Sequence, residues 1–228
     1  MERTSQAPDA SVTIRVWDAP VRLFHWLLVA LVAFSVSTGY LGGNAMRWHI
    51  WSGCAILGLL IFRLLWGFAG STPARFAHFV RGPRAALGYA RGLLSRTPSH
   101  TLGHNPLGGW MVLLLLLSAA LQAATGLFSN DDIATEGPLY GKVSKATSDA
   151  VTAVHQANAV VLLALIGLHV AAVLFYLWFK RENLLRPMLT GVKRVPARAL
   201  PPLRFPGLLR ASALAALAAA ALVAILKI

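Results

Sequence analysis

Four histidines of this 228-residue chain lie within or at the ends of strongly apolar stretches: His25, His49, His155 and His169. An imidazole in a hydrocarbon environment is costly unless a partner satisfies it, so each of these residues is a candidate functional residue. Imidazole nitrogens bind transition metals and serve as axial ligands of haem iron. The four residues therefore indicate a metal centre, and two stacked haems are the hypothesis that uses all of them.

The spacing of His155 and His169 supports that hypothesis. They are 14 residues apart, and at ~100° per residue a helix returns to within about 40° of its starting direction over that length. Both side chains thus share one helix face, about 21 Å apart along the axis. Because the hydrocarbon core of a membrane is ~30 Å thick, one helix can serve two haems near its two faces.

Antiparallel threading supplies a second ligand at each depth. His25 begins the first apolar stretch at the inner face, whereas His49 begins the second stretch at the outer face. His155 enters the fourth stretch from outside and should pair with His49. His169 lies deeper toward the cytoplasm and should pair with His25. An interhelical hydrogen bond is the simpler explanation for any one of these histidines, but four of them at two consistent depths favour an outer and an inner bis-histidine haem.

Composition places the chain among helical membrane proteins. Hydrophobic residues make up 57% of the chain and charged residues 13%, and the mean hydropathy is +0.62. Apolar stretches long enough to cross a bilayer recur along the chain, and they predict helices at 21–41, 49–68, 107–128, 153–179 and 207–227. The expected fold is an all-α membrane protein, with a four-helix transmembrane haem-binding bundle plus a fifth C-terminal transmembrane helix.

The same pattern divides the chain into four segments. They are a cytoplasmic N-terminal arm (1–20), the di-haem bundle (21–180), a cytoplasmic basic and Pro-rich segment (181–206) and the fifth helix (207–228). The arm is polar, and no apolar core with a small-residue cleavage site follows it, so we expect no cleaved signal peptide. The fifth helix is almost entirely Ala and Leu and should pack at the periphery through small side chains.

The formal net charge of +13 comes largely from basic residues in segments that flank the apolar stretches. In a soluble protein this charge would suggest nucleic acid, but here the positive-inside rule explains it, and we expect no nucleic acid partner. The rule places the amino terminus in the cytoplasm. The single cysteine, Cys54, excludes an intrachain disulfide, a covalently attached haem and an iron–sulfur cluster held by this chain alone. Any haem is therefore held noncovalently.

The outer loop between the third and fourth predicted helices gathers acidic residues: Asp131, Asp132, Glu136 and Asp149. Such a loop could face a partner protein with a basic surface. An ordinary solvated loop is the simpler interpretation.

The 14-residue offset recurs on the first two helices. Gly39 follows His25 by this offset and should lie level with the outer haem, where a missing side chain leaves room for a porphyrin; Gly53, one turn beyond His49, is assigned the same role. Close helix packing explains either glycine equally well. Arg63 follows His49 and should lie level with the inner haem, where its guanidinium could pair with propionates. Snorkelling of Arg63 to the inner surface is the alternative.

His104 precedes the third predicted helix in the sequence GHNPLGG. Asn105 suits an N-cap and Pro106 suits the first helical turn, so the helix should begin here. His104 then lies at the inner membrane interface, and it is a candidate for lining a quinone pocket.

Six stretches carry a more specific pattern: VWDAPVRLFHW, FRLLWGFAGSTPARFAHFVRGP, GHNPLGGWM, TGLFSNDD, GPLYGKVS and RENLLRPMLTGVK. Over about residues 14–195 they resemble the bacterial cytochrome b561 family, and within it the small cytochromes related to the b subunits of nickel–iron hydrogenases and formate dehydrogenases. The resemblance implies a four-helix bundle that holds two haem b groups by histidines on the first, second and fourth helices. The four histidines described above stand at those places, and the third helix carries no ligand.

The resemblance further implies electron exchange between a quinone pool and a redox partner outside the membrane, such as a c-type cytochrome or an oxidoreductase subunit. We therefore expect a conduit for single electrons across the inner membrane, with quinone near the inner haem. Two other functions remain open: a stand-alone enzyme that transfers electrons from superoxide to quinone, and a haem-free membrane anchor or transporter subunit. The fifth helix departs from the shortest family pattern.

Overall fold

The computed structural model describes residues 11–95, 101–196 and 202–228. Parts of the predicted arm and of the predicted basic, Pro-rich segment lie outside these residues. Five helices of the described part are long and apolar enough to cross a membrane: α1 (Ala19–Leu41), α2 (Met46–Ala69), α5 (Pro106–Gly126), α6 (Lys145–Trp178) and α8 (Leu208–Leu226). The predicted all-α membrane fold is confirmed.

The remaining elements are short: β1 (Ser11–Arg15), α3 (Phe76–Phe79), α4 (Pro83–Arg91), α7 (Leu185–Thr190) and β2 (Val192–Pro196). Local sequence fixes where the long helices begin. The Asp18 side chain accepts a hydrogen bond of 2.8 Å from the backbone N–H of Val21 and caps α1. The Asn105 side chain does the same for Gly108 at 2.7 Å and caps α5 where the sequence predicted.

Helix α6 begins eight residues before its predicted start at 153. The Ser144 hydroxyl accepts a hydrogen bond from the backbone N–H of Thr147 and caps the helix there. At about 1.5 Å per residue its 34 residues span about 51 Å, which exceeds the ~30 Å hydrocarbon core. The first two turns are polar, so hydropathy alone did not assign them to the helix.

The four helices of the bundle meet around one apolar core. Helix α1 packs against α2, and α5 packs against α6, while α2 also contacts α5 and α8. The core is formed by Phe24, Ile56, Leu60, Ala119 and Leu162. Helix α8 packs along α2 with Ala218 buried, as its small side chains predicted.

A two-stranded sheet was not predicted at the end of the bundle where α1 begins, which we call the inner end because the sequence assigned it to the inner face. Strand β1 pairs antiparallel with β2, so that Ser11 lies opposite Pro196 and Arg15 opposite Val192. The pairing joins the N-terminal arm to the segment after α6, and four membrane crossings between them place both on one side. The sheet was missed because pairing of segments so far apart in sequence leaves no local signal.

A second buried cluster lies beneath this sheet, formed by Val16, Trp17, Val21, Trp66 and Ala74. Trp66 of α2 is completely buried, and its indole N–H donates a hydrogen bond of 3.1 Å to Asp18. Because Asp18 also caps α1, one carboxylate fixes the inner ends of α1 and α2 relative to each other.

We expect replacement of Asp18 by alanine to lower the free energy of unfolding by about 2 kcal/mol or more, because it removes a helix cap and leaves a buried indole N–H unpaired. Thermal unfolding in detergent micelles measures the loss. Asp18→Asn is the matched control, since it keeps one side-chain oxygen for the cap and should lose less. Equal losses in the two variants would contradict this role of the carboxylate.

Candidate haem sites

The structure brings His49 of α2 and His155 of α6 together near the outer end of the bundle. Their ring centroids are 6.1 Å apart and their planes are nearly perpendicular, at 86°. Imidazole nitrogens bind a metal at about 2 Å, so two rings on opposite sides of one ion have centroids about 6 Å apart. The two side chains therefore fit an axial pair, and they are the two residues that the sequence assigned to the outer haem.

Hydrogen bonds determine which ring nitrogen of each outer histidine is free. Nδ1 of His49 lies 2.8 Å from the Ser35 carbonyl oxygen, and Nδ1 of His155 lies 3.0 Å from the Gln122 carbonyl oxygen. A carbonyl only accepts, so both Nδ1 atoms carry the proton and donate it. The lone pair of each ring is then on Nε2, the atom available to a metal. The Gln122 side-chain amide, 3.0 Å from Nε2 of His155, must turn away before that atom can bind a metal.

Two glycines make room for these rings. A Cβ atom at Gly39 would lie 2.9 Å from Nδ1 of His49, and one at Gly126 would lie 3.0 Å from Cε1 of His155. Gly39 thus lies beside His49, and the close neighbour that requires a glycine there is the histidine ring. A Cβ at Gly53 would meet nothing within 4 Å, so no described atom accounts for a glycine at that position. Gly126 was not predicted from the sequence, although it follows a threonine just as Gly39 does.

The inner pair consists of His25 of α1 and His169 of α6. These two imidazoles lie close enough for a charge on one to act on the other. The His25 ring packs edge-on against Trp26, with centroids 5.0 Å apart. Its Nδ1 atom is buried and has no hydrogen-bond partner among the described residues. An unpaired buried polar atom in a folded protein requires an explanation, and a cofactor that binds at this position would provide it.

Arg63 of α2 is 4% exposed and lies in the same inner region. Its Nη2 donates a hydrogen bond of 3.1 Å to the Ala74 carbonyl, and its guanidinium lies 5.1 Å from the ring centre of Phe76 and 5.9 Å from that of Phe79. Nη1 is buried without a partner among the described residues. The side chain does not reach the inner surface, so the snorkelling interpretation is wrong.

His104 lies between two aromatic rings, with its centroid 4.8 Å from that of Trp17 and 4.8 Å from that of Phe79. Burial is the main reason that the pKa of His104 falls to about 3, so the imidazole is neutral at physiological pH. The nearby Arg63 guanidinium lowers this pKa further, as would the nearby His169 and His25 rings in their protonated forms. Nδ1 of His104 is also buried and unpaired among the described residues. The structure thus gathers the residues that the sequence assigned to the inner site.

A hydrogen-bonded group of polar side chains holds the segment beside His104. The Asn105 amide donates a hydrogen bond of 2.8 Å to the Tyr176 hydroxyl, which lies 2.7 Å from the hydroxyl of Tyr89. These bonds join α4 and α6 to the start of α5. The sequence showed the helix cap at Asn105 but not this second role, because the two tyrosines are distant in sequence.

The acidic outer loop is organised by its own contacts. The Asp131 carboxylate accepts hydrogen bonds from the backbone N–H groups of Ile133, Ala134 and Thr135, and hydrogen bonding, chiefly from Thr135, holds the pKa of Asp131 well below its usual range. Lys145 lies 2.5 Å from both Asp132 and Asp149. Most of the acidic charge is thus used inside the loop, which favours the simpler interpretation of a solvated loop.

Comparisons with known proteins indicate the family of the chain. The model of the family described as prokaryotic cytochrome b561 matches residues 16–191. A protein of Escherichia coli (strain K12) named probable Ni/Fe-hydrogenase 1 B-type cytochrome subunit is 26% identical over 147 residues, which cover 53% of this chain and 62% of that protein. The match thus spans less than two thirds of that relative.

A second relative is matched over more of its length. The probable Ni/Fe-hydrogenase B-type cytochrome subunit of Rhizobium leguminosarum bv. viciae is 25% identical over 211 residues, which cover 78% of this chain and 88% of that protein. No solved structure matches the chain.

The pKa of His104 predicts that acid destabilises the fold. The unfolded chain binds a proton at this residue below pH ~6.5, whereas the folded chain does so only near pH 3. Stability should therefore fall as the pH drops from about 6.5, by about 1.4 kcal/mol per pH unit from this group. Thermal unfolding at pH 7 and pH 5 should show a drop that is about 2 kcal/mol smaller in His104→Gln than in the wild type. A control variant, His78→Gln, keeps the contribution of His104; equal drops in all three proteins would show that His104 is protonated normally.

Proposed function

Because the chain belongs to the prokaryotic cytochrome b561 family, we propose that it is a di-haem b-type cytochrome that carries electrons across the bacterial inner membrane. The electrons pass between a quinone pool and a periplasmic redox partner. Family membership gives the coarser statement, a multi-pass membrane protein that binds haem b and transfers electrons. The observation that carries the finer proposal is the pairing of His49 with His155 at 6.1 Å.

The proposal assigns the four histidines to two haems. His49 and His155 hold the outer haem, with their Nε2 atoms as ligands, because their Nδ1 atoms already donate to backbone carbonyls. His25 and His169 hold the inner haem. Bound haem iron supplies the one-electron chemistry, and the protein sets the spacing, burial and nearby charge.

Arg63 is the proposed partner of an inner-haem propionate. A buried guanidinium without a carboxylate within 4 Å among the described residues is costly, and one of its terminal nitrogens is unpaired. Asp18 acts on it electrostatically, but the oxygens of Asp18 already accept from Val21 and Trp66. An anion held at Nη1 would satisfy both the charge and the unused donor.

His104 is the proposed quinone contact. It is neutral, lies between the rings of Trp17 and Phe79, and keeps an unpaired buried Nδ1. A quinone needs an apolar or aromatic wall for its ring and a polar group for its carbonyl oxygens. The nearness of the Arg63 guanidinium and of His169 supports a position beside the inner haem.

The redox partner is proposed to be an oxidoreductase subunit or a c-type cytochrome on the periplasmic side. Two relatives are named as cytochrome subunits of Ni/Fe-hydrogenases, which supports an oxidoreductase partner. The pairing of β1 with β2 joins the N-terminal arm to the basic segment after α6. By the positive-inside rule this end is cytoplasmic, and the end that carries His49 and His155 is periplasmic.

Haem content tests the assignment. Pyridine haemochrome analysis of the chain purified from haem-replete cells should give two haem b groups per chain. His49→Ala or His155→Ala should remove one of them, and His25→Ala or His169→Ala the other, because each haem loses an axial ligand. The partly exposed His78 provides the control, since His78→Ala should keep both. A colourless wild-type protein would instead support a haem-free anchor.

Quinol oxidation tests the inner site. With wild-type haem content retained, His104→Leu should slow haem reduction by a quinol at least tenfold, whereas dithionite still reduces both haems. His78→Leu, at a position outside the site, should react as the wild type does. Stopped-flow absorbance at the haem bands measures the rates. Unchanged quinol kinetics in His104→Leu would contradict the quinone contact, and rapid reduction of the wild type by superoxide without a partner would favour the superoxide-oxidising enzyme.

A further inference from the structure

Two helices of the bundle carry the same short pattern where they meet the outer histidines. The first residue of the pattern has a backbone carbonyl that accepts hydrogen bonds from both a histidine and a threonine. The threonine follows three positions later, and a glycine comes directly after it. The residues are Ser35, Thr38 and Gly39 in α1, and Gln122, Thr125 and Gly126 in α5. We call each set of three a Thr–Gly seat. The seats lie on helices that pack side by side with the helices that carry the outer histidines.

The seat on α1 receives His49 from α2. The His49 Nδ1 atom donates to the Ser35 carbonyl at 2.8 Å, and the Thr38 hydroxyl lies 3.1 Å from the same oxygen and 2.8 Å from the Phe34 carbonyl. The ring lies so close to Gly39 that a Cβ there would be 2.9 Å from Nδ1. Both Ser35 and Thr38 are buried.

The seat on α5 receives His155 from α6 through the corresponding carbonyl. The hydroxyl beside Nδ1 is that of Thr125 here, at 3.1 Å, and that of Ser35 in the seat on α1, at 3.2 Å. The His155 Nδ1 atom donates to the Gln122 carbonyl at 3.0 Å, and the Thr125 hydroxyl lies 3.1 Å from that oxygen and 2.7 Å from the Leu121 carbonyl. A Cβ at Gly126 would be 3.0 Å from Cε1 of the ring. The hairpin of α1 and α2 and the hairpin of α5 and α6 thus present their histidines in equivalent ways.

We infer that the two Thr–Gly seats are the elements that position the outer haem ligands and tune the iron that they hold. This inference rests on the proposed function and concerns the outer site alone. Among the described residues, no glycine has an atom of His25 or His169 among the three nearest neighbours of its Cβ position. The inner pair is therefore positioned by other means.

The chemistry follows from the hydrogen bond at Nδ1. A histidine that donates its second N–H to a carbonyl is held in one tautomer and one orientation, and its Nε2 becomes a stronger donor to the metal. A stronger donor stabilises the ferric state and lowers the reduction potential. A methyl group at either glycine forces the ring to shift by a few tenths of an ångström relative to its carbonyl. The hydrogen bond at Nδ1 should weaken, so that the same haem should lose part of this stabilisation from either side.

Single alanine substitutions at the two seats test the inference. Gly39→Ala and Gly126→Ala should each raise the midpoint potential of the outer haem and alter its low-spin ferric EPR signal, and each should leave the inner haem unchanged. Gly167→Ala is the matched control on α6, since a Cβ there meets nothing within 4 Å.

Two outcomes overturn the inference: wild-type potentials and EPR signals in both alanine variants, or a change confined to the inner haem. If neither variant yields folded protein, the ferric EPR signal of the wild type tests the inference. Rings held at 86° predict the strongly anisotropic ferric signal of perpendicular axial imidazoles for the outer haem, and the rhombic signal of parallel rings would refute the seats. Haem analysis of the wild type separates this failure from that of the proposed function, because a haem-free wild type would refute the function itself.

Discussion

The cost of an unpaired polar atom in an apolar bundle governs both candidate sites. A buried donor without a partner costs about 1–3 kcal/mol, and water is scarce between membrane helices. At the outer site the cost is removed within the protein, because both Nδ1 atoms donate to carbonyls of a neighbouring helix. The outer histidines are thus held in place before any cofactor binds. Only their Nε2 atoms remain to be satisfied by a metal or by the Gln122 amide.

The inner site differs because its polar atoms remain unsatisfied by the described residues. His25 Nδ1, Arg63 Nη1 and His104 Nδ1 are all buried without partners there, and the Arg63 guanidinium carries a positive charge. A buried positive charge in an apolar region favours an anion beside it. A haem with its propionates and a quinone with its carbonyl oxygens would together supply acceptors for these donors. The contrast between the two sites therefore indicates that contacts within the protein position the outer histidines. The polar atoms of the inner site would instead be satisfied by a bound cofactor.

Periodic features of the sequence predicted much of this architecture. Five apolar stretches predicted five helices, and the 14-residue offsets from His25, His49 and His155 predicted which side chains share a depth, because helix geometry fixes direction and rise. The β1–β2 pairing and the tyrosine contacts of Asn105 could not be predicted, since they join segments that are distant in sequence. The polar first turns of α6 escaped a hydropathy criterion for a different reason. They extend beyond the apolar layer, where the membrane no longer selects apolar residues.

Gly126 was missed because a glycine in a helix end has several ordinary explanations, such as termination or close packing. What distinguishes it is the threonine before it and the carbonyl four positions earlier, and their meaning depends on a ring that arrives from another helix. Gly39 has the same neighbours in α1, so the recurrence of the dipeptide on two helices was the available signal. A repeat of two residues often occurs by chance, so it is not informative on its own. It becomes informative only once α1 and α5 are known to lie beside the helices that carry His49 and His155.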